Sequence, residues 1–488
     1  MTPIPGPFLL VALPLLAAGI AYLVRRWSFL AAFVSALTTA ILAILCLRLP
    51  LNQSAFVLGR EVAFGRPIVI LGRTLVLDPA GQMWLAFAFA LATILYLFAW
   101  RISQGHSFFP FSLTILSLYV MIALLQTFSL AVLAFAISVT LAVFIIQAGQ
   151  RHSIRGAQRY LVITLLAVPF LLAAAWFVDQ SVLNPGDAEL ARRALLPAGL
   201  GFALLLAVFP FSTWMPAMAA DAPPIVTVFV LMIGQTMALF LGFRFLRSTP
   251  LALDDPAILA AIELAGLAMA LIGGAMAAVQ RDFARLLGYA AMSDLGFLLL
   301  ALGSGGSQGS TLALLHGVNR AVSITLLAAA LSILRHRATV DHFSGLRGVA
   351  RRLPVATMGL MLGGLALAGF PFTAGFPTHW AISRAVWNWA QPFSPLAQGV
   401  ASGAEAAPGQ EWVWVLTLLA LLVSSAGIAI GMLRGLSAML GADEHTDIAR
   451  QPIIASLMVL ALAALAVAVG LYPQLFLGPV QKAAQALF

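Results

Sequence analysis

The most constraining feature of this sequence is a series of apolar runs, each long enough to cross a hydrocarbon core as a helix of about twenty residues. Such runs recur about fourteen times along the chain. Hydrophobic residues make up 62% of the 488 residues and charged residues only 9%, so lipid must solvate the apolar surface. Backbone polar groups in lipid must be satisfied within the segment, which predicts an all-α polytopic membrane protein.

The predicted spans can be placed along the chain with loose boundaries. They lie near residues 7–24, 28–48, 82–100, 109–127, 129–149, 160–178, 196–218, 223–246, 257–279, 284–303, 310–334, 354–388 with a break, 412–433 and 452–474. Between the second and third runs, residues 57–78 are rich in β-branched residues and punctuated by glycine. This pattern predicts an extracellular hairpin.

Arginine is distributed unevenly between the two sides of the membrane. Connections after odd-numbered helices hold most of the arginines, among them Arg25, Arg26, Arg281 and Arg285. Positive residues concentrate on the cytoplasmic side, so we expect both termini outside, in a bacterial plasma membrane. The first apolar run has its arginines after it, the reverse of a cleavable signal peptide, so we expect it to stay as a membrane helix. The net charge of +9 is then a topology signal and does not indicate nucleic-acid binding.

The sequence shows no motif for a cofactor or a metal. Cys46 is the single cysteine, so an intrachain disulfide or a thiolate cluster cannot form. A phosphate-binding loop, a zinc-helix motif and a haem motif are all missing from the sequence. Glycine pairs such as Gly273-Gly274 and Gly363-Gly364 lie inside apolar runs, where they predict close helix packing. We therefore expect no cofactor and no resident metal.

Two apolar helices are interrupted by proline. The first interruption holds Pro210 and Pro216, and the second holds Pro371 and Pro377. They lie five helices apart, and this odd offset is typical of inverted repeats of five helices. Unwound backbone at membrane depth must be satisfied by protein or water, so the pair indicates a hydrated path. The alternative is two proline kinks that only ease packing.

This organisation predicts four segments. Three helices and the hairpin occupy residues 1–108, and a first five-helix repeat occupies 109–246. A second, inverted repeat occupies 247–434, and a last helix with a tail occupies 435–488. The tail is too short for a long lateral helix, so we expect one of the shorter members of its class.

Several motifs follow one another in a specific order. They are Phe209 to Pro216, Asp221-Ala222-Pro223-Pro224, Gln280 to Tyr289, Leu315 to Ala321 and Gly345 to Gly348. In this order they resemble the antiporter-like membrane subunits of NADH:quinone oxidoreductase (complex I) and of Mrp-type cation/proton antiporters. The resemblance implies a proton route along the membrane midplane. That route would run from a glutamate and a lysine in the first repeat, through lysine and histidine in the second, to a terminal lysine or glutamate.

The first repeat departs from the route that the resemblance implies. The chain has no Asp or Glu between Asp78 and Asp179, and Ser138 stands at the place of the glutamate. Leu205 stands at the place of the lysine, and the next helix offers only Gln235 or Thr236. None of these side chains carries a charge, so we expect this half of the route to be closed.

Nucleotide bias is the alternative explanation for the missing lysine. Lys482, in the tail, is the single lysine of the chain. A bias toward arginine codons predicts replacement of lysine by arginine, whereas Ser138, Leu205 and Gln235 are not arginines. Bias alone therefore does not explain the first repeat.

The second repeat keeps ionisable residues, and these are the candidate proton path. Asp294 and Arg320 lie at similar distances from a glycine-rich turn, so a helical hairpin would place them at similar depth. Arg320 stands where the family has lysine, and His316 lies one turn before it on the same face. His379 stands at the place of the terminal lysine or glutamate, and Arg384 follows it. The alternative is a set of buried polar groups that satisfy one another and only lock helices together.

The sequence therefore predicts a membrane subunit of a complex I type assembly, beside other membrane subunits and without redox cofactors. Its own proton channel would be impaired. Two alternatives remain open. One is an ion/proton antiporter or a membrane component of inorganic-carbon uptake, and the other is a purely structural scaffold.

Overall fold

The computed structural model describes residues 4–48, 51, 54–57, 60–63, 65–70, 72–148, 154–184, 188–249, 255–338, 341–389, 410–442 and 451–487. The chain forms two compact units. The first comprises Met1–Ala207 and Phe211–Pro250, and the second comprises Val208–Pro210 and Leu251–Ala486. The finer division into four segments, and the inverted relation of two repeats, stay predictions.

The first unit is built from helices. Their bounds are α1 Gly6–Leu23, α2 Ser28–Arg48, α3 Pro79–Arg101, α4 Phe108–Leu124, α5 Phe128–Gln147, α6 Arg155–Leu183, α7 Ala188–Leu205, α8 Trp214–Asp221, α9 Pro224–Val228 and α10 Gln235–Ser248. Most of these helices pack on a neighbour in sequence, and α1 also packs on α4 and α6 on α8. A π-helical turn, Phe229–Gly234, joins α9 to α10.

The second unit is also helical. Its bounds are α11 Pro256–Val279, α12 Phe283–Gly303, α13 Gly306–Ala338, α14 Val349–Arg352, α15 Pro354–Leu367, α16 Phe376–Trp389, α17 Gln410–Leu440, α18 Ile453–Leu471 and α19 Gln474–Leu487. Helix α12 packs on α11, α13 and α16, and α13 also packs on α15, α16 and α18. Helices α12 and α13 are mostly buried within the unit, which is where a polar site would be shielded from lipid.

The predicted fold class is confirmed. Among the described residues, eleven helices are long and apolar enough to span a membrane. Two shorter apolar helices, α4 and α15, and the interrupted pair α7 and α8 make the predicted count of about fourteen plausible. The chain is a multi-pass membrane protein.

Short strands lie between α2 and α3, where the sequence predicts a hairpin. Strands β4 (Ile68–Ile70) and β5 (Arg73–Leu75) form an antiparallel pair. Strand β3 (Arg60–Ala63) pairs antiparallel with β2 (Ser54–Val57) and parallel with β1 (Ile4–Pro5), which precedes α1. The side of the membrane on which these strands lie stays a prediction.

Each proline-containing segment interrupts a helix. Helix α7 ends at Leu205, and a 3-10 turn at Phe211–Thr213 precedes α8. Helix α15 ends at Leu367, and α16 begins at Phe376. Ala207 and Phe372, one in each interruption, adopt the left-handed conformation with φ of 57° and 65°. Strained backbone of this kind persists where the surrounding structure holds it, and it is common at functional sites.

The glycine pairs allow helices to approach closely, as the sequence predicts. A Cβ atom added at Gly273 would lie 2.6 Å from the backbone nitrogen of Ser293, so α11 and α12 meet backbone to backbone. A Cβ atom at Gly363 would lie 2.7 Å from the backbone nitrogen of Leu327, which places α15 equally close to α13. Small residues at such crossings permit the close packing that stabilises helix pairs in lipid.

Candidate functional site

Four ionisable side chains meet inside the second unit. Asp294 lies on α12, His316 and Arg320 lie on α13, and His379 lies on α16. Each of these residues is at most 5% exposed. Burial of a charge is expensive unless the charge is paired and hydrogen-bonded, so the contacts within the cluster decide what it can do.

The carboxylate of Asp294 is the centre of this cluster. Its Oδ2 atom lies 3.2 Å from Nε of Arg320, so the two residues pair as the sequence predicts. Its Oδ1 atom lies 3.2 Å from Nε2 of His379 and 3.4 Å from Nε2 of His316. Arg320 also donates from Nη2 to the carbonyl oxygen of Ala291, at 3.1 Å. One carboxylate oxygen therefore faces a fixed cation, and the other faces two groups that can gain or lose a proton.

Both ring nitrogens of His316 have polar partners. Nε2 lies 3.0 Å from the backbone carbonyl oxygen of Asp294, and Nδ1 lies 3.0 Å from Oγ1 of Thr378. Asn319 donates from Nδ2 to the same Thr378 oxygen, at 3.2 Å. Thr378 and Asn319 are fully buried. Sequence reasoning missed both residues, although Asn319 lies in the motif that contains His316 and Thr378 directly precedes His379.

His379 is held by the second helix interruption. Gly369 has φ of 70°, and a Cβ atom there would lie 2.7 Å from the imidazole of His379. On another side the ring of Phe297 approaches, with 4.0 Å between ring centroids. Nδ1 of His379 is buried, and it has no hydrogen-bond partner among the described residues. The interruption thus fixes this imidazole and leaves one nitrogen able to accept a proton.

Helix α12 is anchored on its neighbours beside Asp294. The hydroxyl of Ser293 lies 3.1 Å from the carbonyl oxygen of Ala270 on α11 and 2.6 Å from the hydroxyl of Ser424 on α17, and Ser424 lies 2.7 Å from the same carbonyl oxygen. Because each hydroxyl has one proton, one serine donates to the other, and the second donates to the carbonyl of Ala270. These bonds hold α12 against α11 and α17, and the next residue, Asp294, faces α13 and α16.

Arg384 does not join the cluster, and its part in a proton path stays a prediction. The structure leaves it exposed on α16. It follows His379 by five residues, which corresponds to a rotation of about 140° around a helix axis. Its side chain therefore projects from a different face than the imidazole of His379.

The cluster also contains a set of potential metal ligands. Asp294, His316 and His379 each offer one ligand atom, and these atoms lie within 4.8 Å of one another. An imidazole nitrogen binds a metal only without its proton. His316 Nε2 faces a carbonyl oxygen, which can only accept, so this nitrogen carries a proton in the arrangement seen. The geometry fits a hydrogen-bonded site for protons better than a metal centre.

The positions of the first unit at which the resemblance implies charged residues carry none. Ser138 on α5 is buried and donates to the carbonyl oxygen of Phe135, at 2.7 Å. Its other polar contact is a hydrogen bond with the hydroxyl of Tyr119 on α4. Leu205 and Gln235 are buried as well, and Thr236 is partly buried and bonds the carbonyl oxygen of Ile233 in its own helix. Ser138 and Thr236 are thus neutral hydroxyls that bond to backbone carbonyls of their own helices.

At the first helix interruption, an aromatic side chain bonds to a backbone carbonyl at the end of α7. Trp214 is buried and donates from Nε1 to the carbonyl oxygen of Leu204, at 3.3 Å, near the end of α7. The ring of Tyr160 packs edge-on against it, with 5.3 Å between centroids. A carbonyl left free by the end of a helix is thus satisfied by a neutral donor.

Comparison with protein families decides the class of this chain. Residues 125–403, more than half of the chain, match the family model described as NADH:quinone oxidoreductase/Mrp antiporter, TM. The chain belongs to this family. The resemblance inferred from the motifs is therefore confirmed.

Related proteins and solved structures agree with this membership. NADH-quinone oxidoreductase subunit N of Desulforudis audaxviator is 28% identical over 410 residues, which cover 77% of this chain and 79% of that protein. The chloroplastic NAD(P)H-quinone oxidoreductase subunit 5 of Nuphar advena is 30% identical over 45% of this chain and 30% of its own length. A subunit of the Mrp complex from Dietzia sp. superposes with a TM-score of 0.79 at 17% identity, covering 99% of this chain and 97% of that one. A chain of respiratory complex I from Thermus thermophilus gives 0.75 at 18% identity, covering 99% and 98%. These solved structures share the fold of this chain.

Proposed function

We propose that this chain is an antiporter-like membrane subunit of a complex I type NADH:quinone oxidoreductase, and that only its second unit takes part in proton transfer. The observation that carries the proposal is the buried cluster around Asp294. A carboxylate, two imidazoles and a guanidinium are rare inside membrane helices, and such groups mark ion and proton paths. The relatives named as subunit N of NADH-quinone oxidoreductase support the assembly.

Each member of the cluster suits a different part of proton transfer. His379 can accept a proton at Nδ1 and release one from Nε2 to Asp294 Oδ1, which lies 3.2 Å away. The same oxygen lies 3.4 Å from Nε2 of His316, so Asp294 links the two imidazoles. Arg320 does not give up its proton, and its fixed charge favours the return of Asp294 to the carboxylate form.

The first unit lacks the groups that a relay needs. Ser138, Leu205 and Gln235 cannot hold an extra proton near neutral pH, and the acids nearest in sequence to Ser138 are Asp78 and Asp179. We propose that protons do not pass through this half, and that its role is to support the neighbouring helices.

The same proposal includes location and partners. We place the chain in a bacterial plasma membrane with both termini outside, as the arginine distribution indicates. Large apolar side chains such as Leu23, Trp27 and Leu457 are exposed, and lipid or other membrane subunits of the complex would cover them. Labelling of single cysteines introduced near each terminus with an impermeant thiol reagent, in a Cys46→Ala background, tests the orientation.

The central experiment measures protons moved per electron pair in proteoliposomes that contain the assembled complex. Asp294→Asn and His379→Ala should lower this ratio by the number of protons that this subunit moves. Ser138→Ala and Gln235→Ala should leave the ratio unchanged. Quinone reduction in detergent serves as the control for assembly.

Three outcomes would contradict the proposal. A normal proton ratio in both Asp294→Asn and His379→Ala would favour the scaffold role. A reduced ratio in Ser138→Ala would show that the first unit conducts protons. Sodium-dependent proton movement by the purified chain alone would favour an independent antiporter.

A further inference from the structure

Thr378 occupies a position in the cluster that neither the family match nor the sequence explains. Its hydroxyl is buried at the first turn of α16 and lies 3.0 Å from His316 Nδ1, 3.2 Å from Asn319 Nδ2 and 3.1 Å from the carbonyl oxygen of Gly375. A hydroxyl has one proton to donate and can accept up to two. The single hydroxyl proton can therefore be donated to only one of these partners at a time.

A count of donors and acceptors leaves two arrangements. The amide nitrogen of Asn319 can only donate, and the carbonyl of Gly375 can only accept. His316 Nε2 faces acceptors, the carbonyl and the carboxylate of Asp294, so that nitrogen carries a proton in either arrangement. The remaining variable is Nδ1 of His316. If Nδ1 is bare, the Thr378 hydroxyl must donate to it, and if Nδ1 is protonated, the hydroxyl is released to donate to Gly375.

We infer that Thr378 is a hydroxyl switch that links the protonation of His316 to the second helix interruption. This inference rests on the proposed function. When His316 takes up one proton at Nδ1 from a hydronium ion, one N–H bond forms, the ion becomes water, and the imidazole becomes an imidazolium. The Thr378 O–H then turns from Nδ1 to the carbonyl of Gly375, and loss of the proton reverses both changes.

The switch reaches the other imidazole through Gly375. The carbonyl oxygen of Gly375 also accepts the backbone N–H of His379, at 3.0 Å. A second bond to the same carbonyl, made only when His316 is protonated, tightens the first turn of α16. That turn carries His379, whose Nε2 bonds Asp294. Thr378 is thus a positioning residue that makes the placement of one imidazole depend on the charge of the other.

The surroundings of His316 contain few other charges that could obscure this effect. Asp294 faces it from α12 and His379 from α16, and Arg320 lies one turn away on α13. The two further helices that pack on α13, α15 and α18, contain no ionisable residue. The charge state of His316 therefore depends on these three neighbours and on the hydrogen bond to Thr378.

The test compares Thr378→Val, which keeps the shape and removes the hydroxyl, with Thr378→Ser, which keeps the hydroxyl. The readout is the nitrogen NMR spectrum of labelled histidine side chains in the purified chain in nanodiscs, which has only 7 histidines. His316→Gln assigns the signal. A hydrogen bond stabilises a charged donor more than a neutral one, so at one fixed pH the ratio of imidazolium to neutral His316 should fall about tenfold in Thr378→Val. Thr378→Ser should resemble the wild type. Equal ratios in the two variants would overturn the inference.

A second measurement needs no variant, so it covers a failure of Thr378→Val to fold. Carbonyl-labelled glycine combined with nitrogen-labelled phenylalanine selects Gly-Phe pairs, including Gly375-Phe376. The Gly375 carbonyl signal of the wild type should move with pH in step with the imidazole signals of His316. A Gly375 signal that stays constant while His316 changes its charge would reject the switch.

The outcomes separate this inference from the proposed function. If Asp294→Asn retains the full proton ratio in the assembled complex, the proposed function is wrong, whatever the NMR spectra show. If Asp294→Asn loses its share of protons while Thr378→Val and Thr378→Ser give the same histidine spectra, the function stands and the switch is wrong.

Discussion

The two units each contain an interrupted helix, but they surround it with different chemistry. In the first unit, Trp214 satisfies the carbonyl of Leu204, and the nearby hydroxyls of Ser138 and Tyr119 bond to neutral partners. In the second unit, the interruption places His379 against a carboxylate that also pairs with Arg320. An interrupted helix therefore does not require charged groups for its stability. The charges of the second unit need another explanation, and proton transfer provides one.

The largest expected effect tests whether the charges of the second unit depend on one another. Asp294→Ala alone strands the guanidinium of Arg320, and Arg320→Ala alone strands the carboxylate of Asp294. Each should lower the free energy of unfolding by about 3 to 5 kcal/mol, because an unpaired charge stays buried. The double variant should lose less than the sum of the two. Thermal unfolding of the purified chain in detergent measures all three, and strictly additive losses would show that the two side chains act independently.

The second prediction introduces a charge into the first unit. Ser138→Glu places a carboxylate in a buried position whose neighbours Tyr119 and Phe135 offer no cation. The free energy of unfolding should fall by roughly 3 kcal/mol at neutral pH, because the acid must either stay buried as an unpaired charge or take up a proton far above its ordinary pKa. Ser138→Gln is the matched control, because it has the same size without a charge. Equal unfolding temperatures of the two variants would show that the first unit already contains a partner for an acid. Its lack of charged residues would then not exclude a proton relay.

The third prediction compares glycines in the two units. A Cβ atom at Gly375 would lie only 1.8 Å from the carbonyl oxygen of Ala366, whereas one at Gly199 in α7 would meet nothing within 4 Å. Gly375→Ala should therefore cost about 1 to 3 kcal/mol, because the interruption cannot shift without moving His379. Gly199→Ala should be neutral or stabilising by up to about 1 kcal/mol, since alanine favours a helix. Unfolding temperatures in detergent decide this, and equal effects would mean that the second interruption is not tightly packed.

Much of the fold could be predicted because the membrane restricts the choice of elements. Apolar length and proline position predicted α2 at residues 28–48 and the interruptions near Pro210 and Pro371, since lipid leaves helices as the spanning form. Boundaries were less accurate where a helix extends beyond its apolar run, as in α13, which spans Gly306–Ala338. Helix α19 follows the last predicted span and was expected only as a tail.

The site was predictable only in part. Ionisable residues in an apolar sequence are conspicuous, which identified Asp294, His316, Arg320 and His379. Thr378 is a common residue type, and only the contact between α13 and α16 shows that its hydroxyl faces His316. Side chains whose role depends on the partner across a helix contact leave no pattern in one sequence.

The smallest expected effect concerns how each unit starts the helix that carries its central residue. Asp282 caps α12, the helix of Asp294, by accepting the backbone N–H of Arg285 at 2.7 Å, whereas Thr127 precedes α5 without a side-chain cap. Asp282→Ala should lower the free energy of unfolding by about 1 kcal/mol because the cap is lost, whereas Asp282→Asn keeps the capping oxygen and should not lower it. Thr127→Ala should have little effect.

The carboxyl group of Asp282 should also make the free energy of unfolding depend on pH. Burial raises the pKa of the Asp282 carboxyl above its ordinary value, against the opposing hydrogen bond from Arg285. The folded state then holds this proton more tightly than the unfolded state, so its contribution to stability is present at low pH and declines as the pH rises from about 4 through the raised value. Unfolding temperatures of the wild type and Asp282→Asn, measured across this range, should converge at low pH and separate in favour of the variant above it. A constant difference at all pH values would show that Asp282 acts only as a cap, and an equal loss in Thr127→Ala would remove the contrast between the two helix starts.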